Sequence, residues 1–393
     1  MRPFRLTPWP IYILEDGALR KHLGKEAAKI GRKALLVIGQ GSAKKHGYLD
    51  MAIEALKEAG VDFIIFEGVQ PNPKHTTANA GGEMAKREGC DLIIALGGGS
   101  VIDAAKGMAV VAATGDNVWE YAYHGPGSKL ARKALPLIAI PTTAATGTEV
   151  NTAGVITNLD VREKVAIVGP ALMPRVAICD PRLTVSLPPR LTALGGVDIL
   201  CHTIEPFIAS GSGFEPSDGF AASIIRTVME NVPVLMEQPD DIHRRGQMMW
   251  AASLGISMYH RAGRSGSLAM HWFEHVLSAH YDHIAHPEGL AALLPSWLKM
   301  AAKYTSQRFE KLYLMLTGET GGPEELIGLI TDWIEGIGLR LDLKSLGVRE
   351  ESIEQMAEDV QRVYAWGIKN AIGGQTPSFD DIISVFRNAF VAN

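Results

Sequence analysis

The sequence predicts a molecule of the α/β plus all-α class: a parallel-sheet domain over residues 1–185 followed by an all-helical domain over residues 186–393. Three observations predict it. Through the first half, short β-branched runs alternate with helical patterns, as they do where crossover helices flank a parallel sheet. Beyond Leu187-Pro188-Pro189 apolar residues recur with the helical period and β-branched runs nearly vanish. The chain is also long enough for two cores, with 393 residues of which 47% are hydrophobic and 21% charged.

Taken in order, residues 34–38 (ALLVI) form the first expected strand. A helical pattern over 49–59 stops at Gly60, and 62–66 (DFIIF) is a second strand, apolar on both faces and therefore buried on both. A helix over 77–87, a strand over 92–96, a helix over 101–113 and a strand over 135–140 repeat the unit, and 176–179 (VAIC) reads as the closing strand. In the second half Pro188 and Pro189 suit the first turn of a helix, where the missing amide protons have no partner to lose. Ser217 and Ser378 precede acidic first turns and are expected caps.

Charge and composition exclude several classes. A net charge of -5 without blocks of like sign offers nucleic acid no concentrated basic surface. Cys90, Cys179 and Cys201 lie too far apart for a disulfide framework or a cysteine zinc site, so a reducing, cytoplasmic setting is expected. Residues 1–15 hold three prolines and no apolar core of the signal-peptide kind. The apolar stretch 92–114 is broken by Asp103, Lys106 and several glycines, so no membrane span is expected.

The turn Gly97-Gly98-Gly99-Ser100 ends a strand and opens a helix. Glycines let backbone approach a pyrophosphate, and the helix aims free amides at its charge. The alternative is a tight connection needing positive φ. A second turn, 141–149 (PTTAATGTE), follows the next strand, and its Thr142, Thr143, Thr146 and Thr148 offer hydroxyls to the same ligand. Two such turns on neighbouring strands make the crevice of a Rossmann-like sheet. A third turn, with Gly39, Gly41 and Ser42, leaves the first strand where nicotinamide enzymes commonly place an acid for the ribose 2′-hydroxyl. No acid stands there. Ser42, Lys44 and Lys45 favour a 2′-phosphate, hence NADP(H) over NAD(H), the bland reading of the lysines being solvated charge.

In the helical half Asp198 and His202 sit four apart, on one helix face and within reach of one ion. Alone, such a pair reads more readily as a helix-surface hydrogen bond than as a metal site. Five of the chain's twelve histidines, however, fall between His271 and His286: His271, His275, His280, His283 and His286. Such density amid apolar neighbours points to a metal site.

These residues resemble the iron-containing (group III) alcohol dehydrogenases, in their butanol dehydrogenase-like branch. The likeness spans nearly the whole chain. It rests on 97–106 (GGGSVIDAAK, with Asp103), on 141–149, on Asp180-Pro181 with Leu187-Pro188, on Asp198 and His202, and on 271–290. It implies a dehydroquinate synthase-like fold with the active site between the two domains. It also implies a ligand set of Asp198, His202, His271 and His286 for Fe2+, with Zn2+ an alternative that the same donors suit. His271 and His286 stand one residue further apart than is usual in the branch. His286 nevertheless opens HPEGLA, close to the family's HGxGLA, and is preferred to His283 as fourth ligand; His280 is taken as peripheral. Relatives associate, so a homo-oligomer, a dimer, is expected.

The implied chemistry is hydride transfer between a nicotinamide and a short aliphatic alcohol or aldehyde. His275, one turn beyond His271, is the candidate for passing the hydroxyl proton, a buried core histidine being the alternative. Trp272, Phe273 and Trp250 are candidate walls of an apolar pocket. Pro206, one turn after His202, should kink or end its helix. Two rivals stand beside this reading. A lyase of the dehydroquinate synthase type needs basic residues for a polyanion, and this stretch offers little beyond Arg261 and Arg264. A non-catalytic nucleotide-binding protein leaves the co-occurrence of both sites unexplained.

Overall fold

A computed structural model describes residues 10–264 and 268–391. Most of the stretch read for a leader, residues 1–9, lies outside the described residues. The eight strands are β1 (Ile11–Leu14), β2 (Lys33–Gly39), β3 (Asp62–Val69), β4 (Leu92–Gly97), β5 (Leu137–Pro141), β6 (Ala153–Asn158), β7 (Glu163–Val168) and β8 (Val176–Cys179). Six of them form one all-parallel sheet in the order β1-β8-β5-β4-β2-β3. The central strands are apolar throughout because helices cover both faces, and β4 and β5 are buried at every position.

The parallel arrangement puts the C-terminal ends of β2, β4 and β5 side by side. The three turns singled out by the sequence therefore lie along one edge of the sheet, where doubly wound folds bind ligands. All five expected strands are present. Three elements were not expected: β1, the following helix Ala18–Ile30, and the antiparallel hairpin β6–β7. β1 pairs with β8, so the strand read as closing the sheet instead lies inside it, between β1 and β5. The hairpin escaped notice because its strands are short and carry Asn, Thr, Lys and Glu among the β-branched residues.

After Cys179 the described residues contain helices and turns, and no strand of the sheet. Pro188 and Pro189 start the helix Pro189–Ala209, as expected. It runs through Pro206 and ends three residues later, where the Ser210 hydroxyl donates to the Pro206 carbonyl at 2.6 Å. Its length and apolarity would suffice to cross a membrane, but 94% of the relevant window is buried, which makes it the central helix of the second core. Ser378 caps Phe379–Phe390, accepting from the Asp381 amide at 3.1 Å. Ser217 does not cap: it lies inside Glu215–Glu237 and its hydroxyl donates to the Ala262 carbonyl at 3.0 Å. All three cysteines are free and buried.

Candidate metal and nucleotide site

Three helices meet at Asp198. The helix Pro189–Ala209 supplies Asp198 and His202 one turn apart, Ala269–His280 supplies His271, and His286 is the first residue of His286–Thr317. Oδ1 of Asp198 lies 3.4 Å from His202 Nδ1 and 3.8 Å from Nε2 of both His271 and His286. The His202 and His271 rings are 4.5 Å apart and the His271 and His286 rings 5.3 Å. Asp198 Oδ1, His202 Nδ1 and His271 Nε2 are buried without any hydrogen-bond partner among the described residues. Buried polar atoms almost always have partners, so three facing one another are suited to a shared cation.

The outer nitrogens of two of these rings are fixed by carboxylates the sequence reading overlooked. Glu205, one turn after His202, accepts from His271 Nδ1 at 2.6 Å and from the amides of Met270 and His271. Glu274 accepts from His286 Nδ1 and from the Ser278 hydroxyl, and pairs with buried Lys164 at 3.2 Å. Each bond places the proton on Nδ1 and leaves Nε2 to face Asp198, which is how ligating histidines are held. Both acids were legible as neighbours on the histidine-bearing faces, Glu205 seven residues after Asp198 and Glu274 three after His271.

Burial and neighbouring charges shift the protonation of Asp198, His271 and His202 strongly. Burial would raise the Asp198 carboxyl, but His202, His271 and His286 bring it down to about 2. Burial likewise opposes charge on His271, yet Glu205 and Asp198 outweigh it and raise that ring to about 10. His202 has no second carboxylate behind it, and burial pushes it down to about 3.

His275 lies beside the cluster, its ring 5.6 Å from that of His286. The Tyr364 hydroxyl donates to the Lys164 carbonyl and is 3.0 Å from His275 Nδ1. Its single proton being used, it accepts from Nδ1–H, so His275 carries Nε2 as a free acceptor. Burial first and Lys164 second keep this ring neutral. His283 bonds the Leu346 carbonyl at 3.1 Å and His280 pairs with Asp359 at 2.8 Å, both away from Asp198.

A cavity of about 180 Å3 joins the two halves. Gly99, Ser100, Asp103, Thr146 and Thr148 form one wall, and His202, His271, His275 and His286 the other. None of Gly97, Gly98 and Gly99 has positive φ. Gly97 and Gly99 are instead required by close approach: a Cβ would fall 2.5 Å from Val101 and 2.6 Å from Thr146 respectively. The helix Gly99–Thr114 starts there, Val101 and Ile102 donating to the Gly98 carbonyl, and turns its N-terminus to the cavity wall, the geometry that receives a phosphate.

Behind the turn, Lys106 is fully buried and donates to the Thr148 carbonyl and hydroxyl at 2.7 and 2.8 Å and to Asn151 Oδ1 at 2.8 Å. Burial lowers it to about 8. Asp103 accepts from the Thr148 hydroxyl at 2.6 Å and the Val155 amide at 3.0 Å. Asp103 and Thr148 thus brace the turn as well as lining the cavity.

The remaining candidates fall elsewhere. Thr142 donates its amide to Gly97 O at 2.9 Å, tying the second turn to the first, while Thr143 sits against Gly98. Gly39, Gly41 and Ser42 lie on the neighbouring strand end outside this cavity. Lys44 is ion-paired with Glu67, which leaves Lys45 and Ser42 exposed. Trp272 lines the cavity, but Phe273 is packed in the core on Phe386 and Trp250 is at the surface beside Tyr12, so neither shapes a pocket. Hydrophobicity alone could not separate them.

A parallel sheet that ends in a glycine turn, facing an aspartate and three histidines across a cleft, has the architecture of a metal-dependent, nicotinamide-linked dehydrogenase. The chain belongs to the iron-containing alcohol dehydrogenase family. Residues 10–181 match the family described as iron-containing alcohol dehydrogenase, and residues 192–390 its C-terminal region. NADH-dependent butanol dehydrogenase B of Clostridium acetobutylicum is 32% identical over 376 residues, covering 93% of this chain and 94% of the relative. The 1,3-propanediol dehydrogenase of Klebsiella pneumoniae is 32% identical over 370 residues and 92% of either chain. The crystal structure of NADH-dependent butanol dehydrogenase A from Thermotoga maritima superposes with a TM-score of 0.92 at 33% identity, over 100% of this chain and 99% of that one.

Proposed function

We propose that this oxidoreductase transfers a hydride between NADP(H) and a short aliphatic alcohol or aldehyde, with Fe2+ held by Asp198, His202, His271 and His286. The observation that carries the reading is the set of facing, partnerless buried atoms on Asp198, His202 and His271, across one cavity from Gly99 and Ser100. Such a cation supplies Lewis acidity toward the substrate oxygen.

The protein's own groups do the rest. Glu205 and Glu274 hold His271 and His286 in the tautomer that presents Nε2. The amides opening Gly99–Thr114 hold the pyrophosphate, and Ser42 with Lys45 receive the 2′-phosphate. His275 Nε2 exchanges the hydroxyl proton, its orientation fixed by Tyr364. Trp272, Ile256 and Leu268 exclude water from the reacting centre. The metal-dependent lyase alternative is disfavoured by the lack of a basic cluster here: Arg264 is consumed by Asp218 at 2.7 Å.

The test pairs elemental analysis and nucleotide titration of Asp198→Ala with the parent protein. The parent should bind about one iron per chain and oxidise NADPH when butanal is added, whereas Asp198→Ala should lose the iron and keep the nucleotide. A parent that cannot be loaded with metal, or that turns over no aldehyde in a panel, refutes the reading. Sedimentation of the loaded protein tests the dimer that belongs to the same proposal.

A further inference from the structure

His286 is held differently from its neighbour in the cluster. His271 is backed by Glu205, from its own helical half, whereas His286 is reached from the nucleotide half by two routes. The first is Lys164 on β7, whose ammonium lies 3.2 Å from the Glu274 carboxylate that accepts from His286 Nδ1. The second is the segment 72–74, which grips the turn 282–284 just before His286. The Asn72 side-chain amide donates to the Asp282 and Ile284 carbonyls at 3.1 and 3.3 Å. Lys74 pairs with the Asp282 carboxylate and donates to the Asn72 carbonyl at 2.7 Å.

Asn72 is buried and has φ of 49°, a left-handed conformation that non-glycine residues avoid and asparagine tolerates best. Such an outlier persists where its surroundings impose it, and the surroundings of its side chain are two carbonyls of the other half. The segment is anchored in its own half as well. The Thr157 amide donates to the Pro73 carbonyl at 2.8 Å, from the hairpin that also carries Lys164. Asn72 and Pro73 also line the cavity, together with Gly99, Ser100 and His286. One segment thus borders the space for the nucleotide and fixes the turn that delivers a candidate metal ligand.

Building on the dehydrogenase reading, we propose that Asn72 and Lys74 are positioning residues for His286 and make iron and coenzyme bind cooperatively. Residues 72–74, once restrained by a coenzyme in the cavity, pass the restraint through the Asp282 and Ile284 carbonyls to a turn that ends two residues before His286. The fourth ligand is then placed in advance, and iron is bound more tightly. By linkage, iron in the cluster raises coenzyme affinity by the same factor. Without the two side chains His271 keeps Glu205, but the turn before His286 loses its hold on the nucleotide half and the coupling goes with it.

The experiment measures iron affinity by competition with a chelator, without coenzyme and with saturating NADPH or NADH, whichever binds more tightly. The parent should gain about fivefold or more in iron affinity when coenzyme is present, and Lys74→Met and Asn72→Ala should each bring that gain below about twofold. Thermal melts confirm that the variants fold, and Lys74→Met decides alone if Asn72→Ala does not. An affinity that falls equally with and without coenzyme leaves the gain intact and makes the contacts merely structural, which overturns the proposal. A parent with no gain overturns it too, and in both cases the dehydrogenase reading stands. A parent that takes up no iron overturns both.

Discussion

The Glu205 carboxylate accepts a 2.6 Å hydrogen bond from His271 Nδ1 and, with its other oxygen, the amides of Met270 and His271 at 2.9 and 3.2 Å. One acid therefore orients a candidate metal ligand and also caps the helix that carries it. Glu205→Gln can still accept from the amides but no longer offers a charge to the ring. Iron affinity should fall by about 10- to 100-fold, measured by titration against a competing chelator, while the helical circular dichroism stays unchanged. Undiminished affinity would contradict the assigned role.

His275 stands one turn from His271, with Nδ1 held by Tyr364 and Nε2 free. If it passes the hydroxyl proton and does not ligate, His275→Ala should lower kcat by about 10²- to 10⁴-fold with iron content preserved by elemental analysis. Tyr364→Phe removes the acceptor that fixes the tautomer and should produce a smaller fall in kcat. Loss of iron from His275→Ala would make it a ligand instead.

How far the site could be read beforehand depended on the kind of signal. Spacing located Asp198 and His202, because an i,i+4 pair on a helix is a local geometric fact. The fold separates the two late histidines: the turn after His280 points His283 to the Leu346 carbonyl, and the next helix starts at His286, whose Nε2 lies 3.8 Å from Asp198 Oδ1. Glu205 and Glu274, on the histidine-bearing helix faces, were overlooked, whereas Lys164 and Tyr364 had no local signal, since each matters through a partner brought near by the fold, Lys164 from a hairpin more than a hundred residues before Glu274. The central strands were legible as long apolar runs buried on both faces. β1 was not, being four residues at the sheet edge with Ile11 and Leu14 exposed.

Asp218 is a buried charge whose balance predicts stability. It pairs with Arg264 and Arg308 at 2.7 Å each and with Lys311 at 2.8 Å. Burial alone would raise its carboxyl, but Arg308, Lys311 and Arg264 outweigh that and hold it below its ordinary 3.8. Asp218→Asn leaves two arginines facing each other and should cost about 3–5 kcal/mol in urea unfolding near neutral pH. Since the folded carboxyl gives up its proton more readily than the unfolded one, its contribution is complete above pH 3.8 and is lost as pH falls through the lower, folded value. The gap between parent and variant should therefore close only on strong acidification.

The exposed Ser42 opens the short helix Ser42–Lys45 at the end of β2, with Lys45 exposed and Lys44 tied to Glu67. A serine at this point accepts either ribose, and nearby positive charge tips the balance toward a 2′-phosphate, whereas an acid would repel the phosphate and accept from a 2′-hydroxyl. Ser42→Asp should thus lower kcat/KM for NADPH by about tenfold or more relative to NADH, a change of about 1.4 kcal/mol or more, read from initial rates with either coenzyme and one aldehyde. Lys45→Ala should weaken NADPH alone, by less. A parent that prefers NADH, or a Ser42→Asp variant with an unaltered coenzyme ratio, would mean that this turn does not read the ribose.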